Sequence, residues 1–125
     1  MRSSDDRRAA NQRGAEAEEY VAQLYLAEGW RIVARNLRAG GAELDLVVEK
    51  SGQIRFVEVK AQRRGDVFGF EVITPDKQRR LVRGALAWLE QYGDVVEEAV
   101  FDVVLVQPVR DGWVHERLDH AFDCG

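Results

Sequence analysis

Apolar residues recur along this chain in two rhythms, and the changes between them mark its elements. From Gly14 onward, Ala17, Val21, Leu24 and Tyr25 fall on one side of a 3.6-residue period, while Glu16, Glu18, Glu19, Gln23 and Glu28 occupy much of the rest. That pattern predicts an amphipathic helix closed by Gly29. Trp30–Leu37 is β-rich and predicts a strand, with Arg38-Ala39-Gly40-Gly41 as a turn. Two more strands, Ala42–Glu49 and Ile54–Ala61, are joined by Lys50-Ser51-Gly52-Gln53, a short glycine-containing connection that predicts an antiparallel hairpin. Thr74 and Pro75 read as the N-cap and first position of a second helix. Its apolar stripe is Leu81, Ala85, Trp88, Leu89 and Tyr92, and Gly93 ends it. Ala99–Gln107 is almost continuously apolar, as a strand covered on both faces must be, and is expected inside the sheet. Asp102 within it is expected to face outward or to stand at a strand end. Pro108 and Asp111-Gly112 make the last turn, before a short edge strand over Trp113–Leu118.

The resulting order, α-β-β-β-α-β-β, predicts an α/β fold with a mixed sheet flanked by helices rather than a doubly wound parallel sheet. Residues 1–13 are polar without periodicity and are expected to form a disordered or frayed lead-in. Residues 14–125 then form a single domain, which suits a chain of 125 residues. No apolar run approaches the roughly 18 residues that span a bilayer, and the amino terminus lacks the apolar segment of a signal peptide. A soluble, cytoplasmic protein with no membrane partner is expected. The single cysteine, Cys124, offers neither a disulfide framework nor a cysteine metal site. His115 and His120 match no usual ligand spacing, and no glycine-rich phosphate loop is present.

Chemistry concentrates on the hairpin. Asp45 lies on its first strand and Glu58-Val59-Lys60 on its second. Val57 to Lys60 alternates as well as any half-solvated strand, so the charges taken alone are compatible with an exposed face. If the strands pair, however, Asp45 and Glu58 converge as the one or two carboxylates that magnesium takes alongside waters and phosphate oxygens. The Val59 carbonyl is a further candidate ligand. Lys60 shares the Glu58 face by period two and is placed to stabilise charge on a phosphate. By the same period Glu43 shares the Asp45 face, as an added ligand or as part of the strand's solvated start.

The formal net charge of -4 argues weakly against a nucleic-acid partner, but its distribution reverses the argument. Between Arg55 and Arg83 eight basic residues face four acidic ones, whereas from Glu90 onward nine acidic residues face two basic ones. Arg63 and Arg64 follow the second hairpin strand in a loop that also carries Phe68 and Phe70, suited either to plugging the core or to stacking on unpaired bases. Lys77, Arg80 and Arg83 share the polar face of the second helix with Gln78, either as ordinary solvation or as a phosphate-facing surface.

The run GAELDLV, the strand FVEVKAQRR, the downstream ITPDKQRRL and the terminal FDVVLV together resemble the UPF0102 (YraN-like) family of small bacterial proteins, over roughly residues 14–107. That family is similar to the restriction-endonuclease-like PD-(D/E)xK nucleases and, among them, to Holliday-junction resolvases. The resemblance implies an αβββαβ core, dependence on Mg2+ or Mn2+, a DNA substrate and a homodimer. It assigns the motif aspartate to Asp45, the second acid to Glu58 and the lysine to Lys60. Glu19 matches the helix glutamate that completes the metal site, and Gln78 a polar position on the second helix that faces it. Two functions follow as expectations. One is a metal-dependent nuclease acting on branched or single-stranded DNA, with Arg63, Arg64, Lys77, Arg80 and Arg83 on the backbone. The other is a non-catalytic nucleic-acid-binding or adaptor module on the same fold.

Overall fold

The computed structural model describes residues 4–63 and 73–124, with side chains from residue 14 onward. Its elements run α1 (Ser4–Ala27), β1 (Arg31–Ala39), β2 (Ala42–Lys50), β3 (Gln53–Ala61), α2 (Pro75–Gln91), β4 (Glu98–Val109) and β5 (Gly112–Asp123). The first six make the expected αβββαβ core, and β5 extends it. The strands lie side by side in chain order. Every neighbouring pair is antiparallel except β3 and β4, which are parallel. A parallel pair needs a long crossover, and α2 belongs to it.

Local chemistry explains the joints. Ser51 and Gly52 both adopt positive φ, 50° and 80°, which is the two-residue hairpin turn whose twist matches its strands. The Thr74 hydroxyl accepts the Lys77 N–H at 3.2 Å, with Pro75 at the start of α2, as the capping pattern predicts.

Each helix seals one face of the sheet. On one side Ala17, Val21, Ala22 and Tyr25 of α1 pack on Leu46, Val48, Val57, Val104 and Val106. On the other, Leu81 and Ala85 of α2 belong to a cluster with Leu44, Val47, Phe56, Phe101, Val103 and Leu105. Trp88 anchors that side, stacked on Tyr92 at 4.5 Å and edge-on to Phe56 at 5.8 Å. The β1–β2 turn is pressed against α2. A Cβ on Gly84 would lie 2.6 Å from the Ala39 carbonyl oxygen, and one on Gly40 would lie 3.0 Å from that of Arg83. Only glycine permits such an approach.

Three expectations change. The polar lead-in expected over residues 1–13 is helical from Ser4, since its alanines, arginines and glutamine favour helix without needing an apolar stripe. The edge strand β5 is longer than its apolar pattern suggested, running on to Asp123. Asp102 faces inward at 1% exposure. It accepts hydrogen bonds from the Tyr25 hydroxyl at 2.6 Å, Arg55 Nη1 at 2.9 Å and the His120 amide at 2.9 Å. Donors from α1, β3 and β5 stabilise this buried carboxylate, and a single-strand pattern could not reveal them. Among the described residues no helix is long and apolar enough to cross a membrane.

Candidate metal and nucleic-acid site

The hairpin ladder runs from Lys50–Gln53 to Leu46–Val57. Just beyond it, Asp45 Oδ2 accepts the Val59 N–H at 2.9 Å. A side chain thus stands where a strand partner would otherwise be, and it fixes the carboxylate beside β3. Glu58 immediately precedes Val59 on that strand, is only 6% exposed and lies beside the Asp45 carboxylate.

Asp45 occupies an unusual place in its strand. Leu44 packs with the α2-side core and Leu46 with the α1-side core, so the in-and-out alternation slips at Asp45. The carboxylate consequently borders a cavity on each side. The α2-side cavity, about 380 Å³, is lined by Glu43, Asp45, Glu58, Lys77, Arg80 and Leu81 together with Gly41 and Ala42. The α1-side cavity, about 240 Å³, is lined by Glu18, Glu19, Arg35, Asn36 and Asp45 with Ala15 and Leu46.

The electrostatics are those of crowded acids. Burial first, and then Asp45, push the Glu58 pKa up to about 9, with Lys77 pulling the other way. Glu18 is raised as well, by burial and then by the charges of Asp45 and Glu43. Glu19 moves downward, through hydrogen bonds from Gln23 at 2.8 Å and from Arg35 at 2.5 Å. Carboxyls that resist ionisation beside one another are stabilised by a cation among them.

Most of the residues singled out in the sequence are brought to this end of the sheet. Asp45, Glu58, Lys77 and Arg80 meet in one cavity. Lys60 pairs with Leu105 and Glu58 with Val103, both of the α2-side core, so Lys60 shares the Glu58 face as period two required. Val59 contributes its amide to Asp45. Glu19 borders the α1-side cavity but is committed to Arg35, and the glutamate whose ionisation senses Asp45 is its neighbour Glu18. One step along a helix is about 100° of rotation, and a run of consecutive glutamates gives no sign of which one faces the sheet. Gln78 is not among the residues lining the cavity and donates to the Ile73 carbonyl at 2.9 Å at the entrance to α2. Arg83 is exposed on α2, and Arg63 is exposed with its carbonyl taken by Gln107 at 2.8 Å. Arg64, Phe68 and Phe70 lie outside the described residues.

Among the described residues, no three His, Cys, Asp or Glu side chains are grouped to hold a metal unaided. The donor set of Asp45 and Glu58, all oxygen and open to a cavity, fits magnesium or manganese, which retain waters and complete their shell with substrate oxygens.

The model of the Uncharacterised protein family UPF0102 matches residues 17–106. A UPF0102 protein of Symbiobacterium thermophilum is 42% identical over 112 residues, covering 87% of this chain and 94% of that protein. One from Rhodopseudomonas palustris strain HaA2 is 41% identical, covering 95% and 91%, and one from Desulfosudis oleivorans is 40% identical, covering 90% and 91%. The matched region contains Glu18, Asp45, Glu58, Lys77 and Arg80, and the chain belongs to the UPF0102 family.

Proposed function

We propose that this protein is a divalent-cation-dependent nuclease that hydrolyses phosphodiester bonds in DNA. The observation that carries the reading is Glu58, buried beside Asp45, where burial and that neighbouring carboxylate hold its carboxyl well above the usual range, at the wall of a cavity lined by Lys77 and Arg80. A carboxyl held in this way exchanges its proton for a cation, and the two basic side chains opposite attract a phosphate. Asp45 and Glu58 are the residues that would hold Mg2+ or Mn2+, with Glu18 feeling the same charges from the α1-side cavity. The cation supplies Lewis acidity at the phosphoryl oxygen and lowers the pKa of water near phosphorus. Lys77 and Arg80 orient the phosphate, Lys60 offsets charge as it develops on the non-bridging oxygens, and Arg83 and Arg63 extend the contact along the backbone. Two copies acting together suit cleavage of paired strands, as in the resolvases that the family resembles.

The test is a panel of labelled duplex, branched and single-stranded DNA incubated with magnesium, manganese or chelator. Wild-type protein is expected to cut at least one of them with metal, and Asp45→Asn and Lys60→Ala to lose that activity. No cleavage of any substrate, or cleavage indifferent to both substitutions, refutes the reading. Among the described residues no three carboxylates are grouped to hold a metal, which favours a second reading, a binding module without catalysis. Salt-sensitive DNA binding that survives Asp45→Asn, with no metal uptake, selects it.

A further inference from the structure

Asn36 has a φ of 48°, in the left-handed region that non-glycine residues rarely enter. It sits inside β1, where such a conformation interrupts an extended strand. The pairing passes from Arg35–Leu46 to Leu37–Leu44, which sets Asn36 across from Asp45. The ladder's register shift lies earlier, between Ile32 and Ala34, and pairing is continuous through this rung, so what changes here, on both strands, is the face each side chain takes. Ala34 and Leu37, three residues apart, both pack on the α2-side core, while across the ladder Leu44 and Leu46, two apart, pack on opposite cores. A regular strand would put Leu44 and Leu46 on one face and aim Asp45 wholly at the other. Instead Asp45 stands at the pivot, borders both cavities and reaches the Val59 amide. Asn36 lines the α1-side cavity beside it.

We propose that Asn36 is a positioning residue for Asp45, acting through its left-handed backbone: it creates the break in β1 that forces the matching break in β2 and turns the carboxylate onto β3. Its functional meaning rests on the nuclease reading, but its structural content does not. Asparagine is among the few side chains that tolerate this region, and glycine enters it freely. Alanine and valine are strained there, valine more so because it is β-branched, and each favours a regular extended strand.

The test reads the Asp45–Val59 bond directly, by hydrogen exchange of the Val59 amide in nitrogen-15-labelled protein kept in chelator. Asp45→Ala, which removes the acceptor, defines the unprotected limit. Asn36→Gly is expected to keep wild-type protection. Asn36→Val, and Asn36→Ala as the milder change should the valine variant not fold, are expected to speed exchange about tenfold, the loss of one hydrogen bond. Manganese binding should follow the same order, with Asn36→Gly like wild type and Asn36→Ala weakened by a similar factor. Unchanged Val59 protection in Asn36→Ala overturns the proposal. So does loss of protection in Asn36→Gly, which would give the positioning to the side-chain amide instead of the backbone. If wild-type protein takes up no metal the nuclease reading fails, and the Val59 measurement still decides the role of Asn36.

Discussion

Replacing Glu58 with glutamine is expected to stabilise the metal-free protein at neutral pH and to remove its response to divalent cations. Burial and Asp45 raise the Glu58 pKa from 4.5 to about 9. The unfolded chain gives up this proton from about pH 4.5 upward, whereas the folded chain keeps it until about pH 9. Across that window the folded state binds more protons than the unfolded state, so stability falls as pH rises. Each pH unit costs about 1.4 kcal/mol, so by pH 7 the loss reaches roughly 3 kcal/mol, a ceiling that water entering the cavity lowers to about 1–3. Glutamine keeps the shape of the neutral acid and cannot ionise, so Glu58→Gln recovers this loss. For a chain of this size the gain is about 4–10 °C in Tm at pH 7, shrinking to nothing near pH 4.5. The assay is thermal unfolding of both proteins from acid to mildly alkaline pH, in chelator and in millimolar Mn2+. Metal should raise the wild-type Tm, because it binds the folded state alone, and should leave the variant unmoved. A variant less stable than wild type by the same amount at every pH would show that Glu58 is an ordinary packed hydrogen-bonding group. Equal stabilisation of both proteins by manganese would place the cation elsewhere.

Three other outcomes follow. Gly84→Ala should destabilise by about 1–3 kcal/mol in urea unfolding despite the better helix propensity of alanine, because the new methyl collides with the Ala39 carbonyl, and a stabilised variant would disprove that contact. Asp102→Ala should cost about 3–5 kcal/mol by leaving Arg55 without its buried partner, whereas Tyr25→Phe, which removes one hydrogen bond to the same carboxylate, should cost about 1–3, both read by denaturant titration. Arg80→Ala should lower the salt dependence of DNA binding by about one phosphate contact, while Arg79→Ala, whose guanidinium is already paired with Asp76, should leave it nearly unchanged. Equal slopes for the two arginine variants would remove the α2 face from the interface.

The elements were legible because each announces itself locally. The stripe of α1, the Thr74-Pro75 cap and the glycine-bearing hairpin turn are all short-range signals, and all hold. The positions of Asp45 and Glu58 could be read as well, since pairing two adjacent strands is enough to bring them together. What escaped depends on contacts between elements. Period two placed Glu43 and Asp45 on one face, but the change of face opposite Asn36 interrupts that period, and only the packing of Leu44 and Leu46 on opposite cores reveals it. The choice between Glu18 and Glu19 depends on the rotation of α1 about its own axis, which is set by Ala17, Val21 and Tyr25 docking on the sheet. Gln78 was placed by the family resemblance, and its amide contact with the Ile73 carbonyl is a link between α2 and the segment before it that no local pattern announces.

Two buried carboxylates in the same sheet explain why chemistry belongs at one end of it. Asp102 and Glu58 are both nearly inaccessible and both sit on inner strands. Asp102 is met by a guanidinium, a phenol and a backbone amide, donors from three elements that satisfy its oxygens and its charge. Burial and the Asp102 charge raise the Tyr25 pKa, which keeps the phenol a donor, so the cluster is complete as it stands and ties α1 to β3, β4 and β5. Glu58 instead meets another carboxyl, with Lys77 as the cation that eases it, and opens onto a cavity. The fold supplies three donors to one buried acid and leaves the second beside a like charge, which is the contrast the proposed cation site rests on. Asp102 accounts for cohesion, and Glu58, whose carboxyl burial and Asp45 hold above the usual range, is the residue whose place the proposed cation would explain.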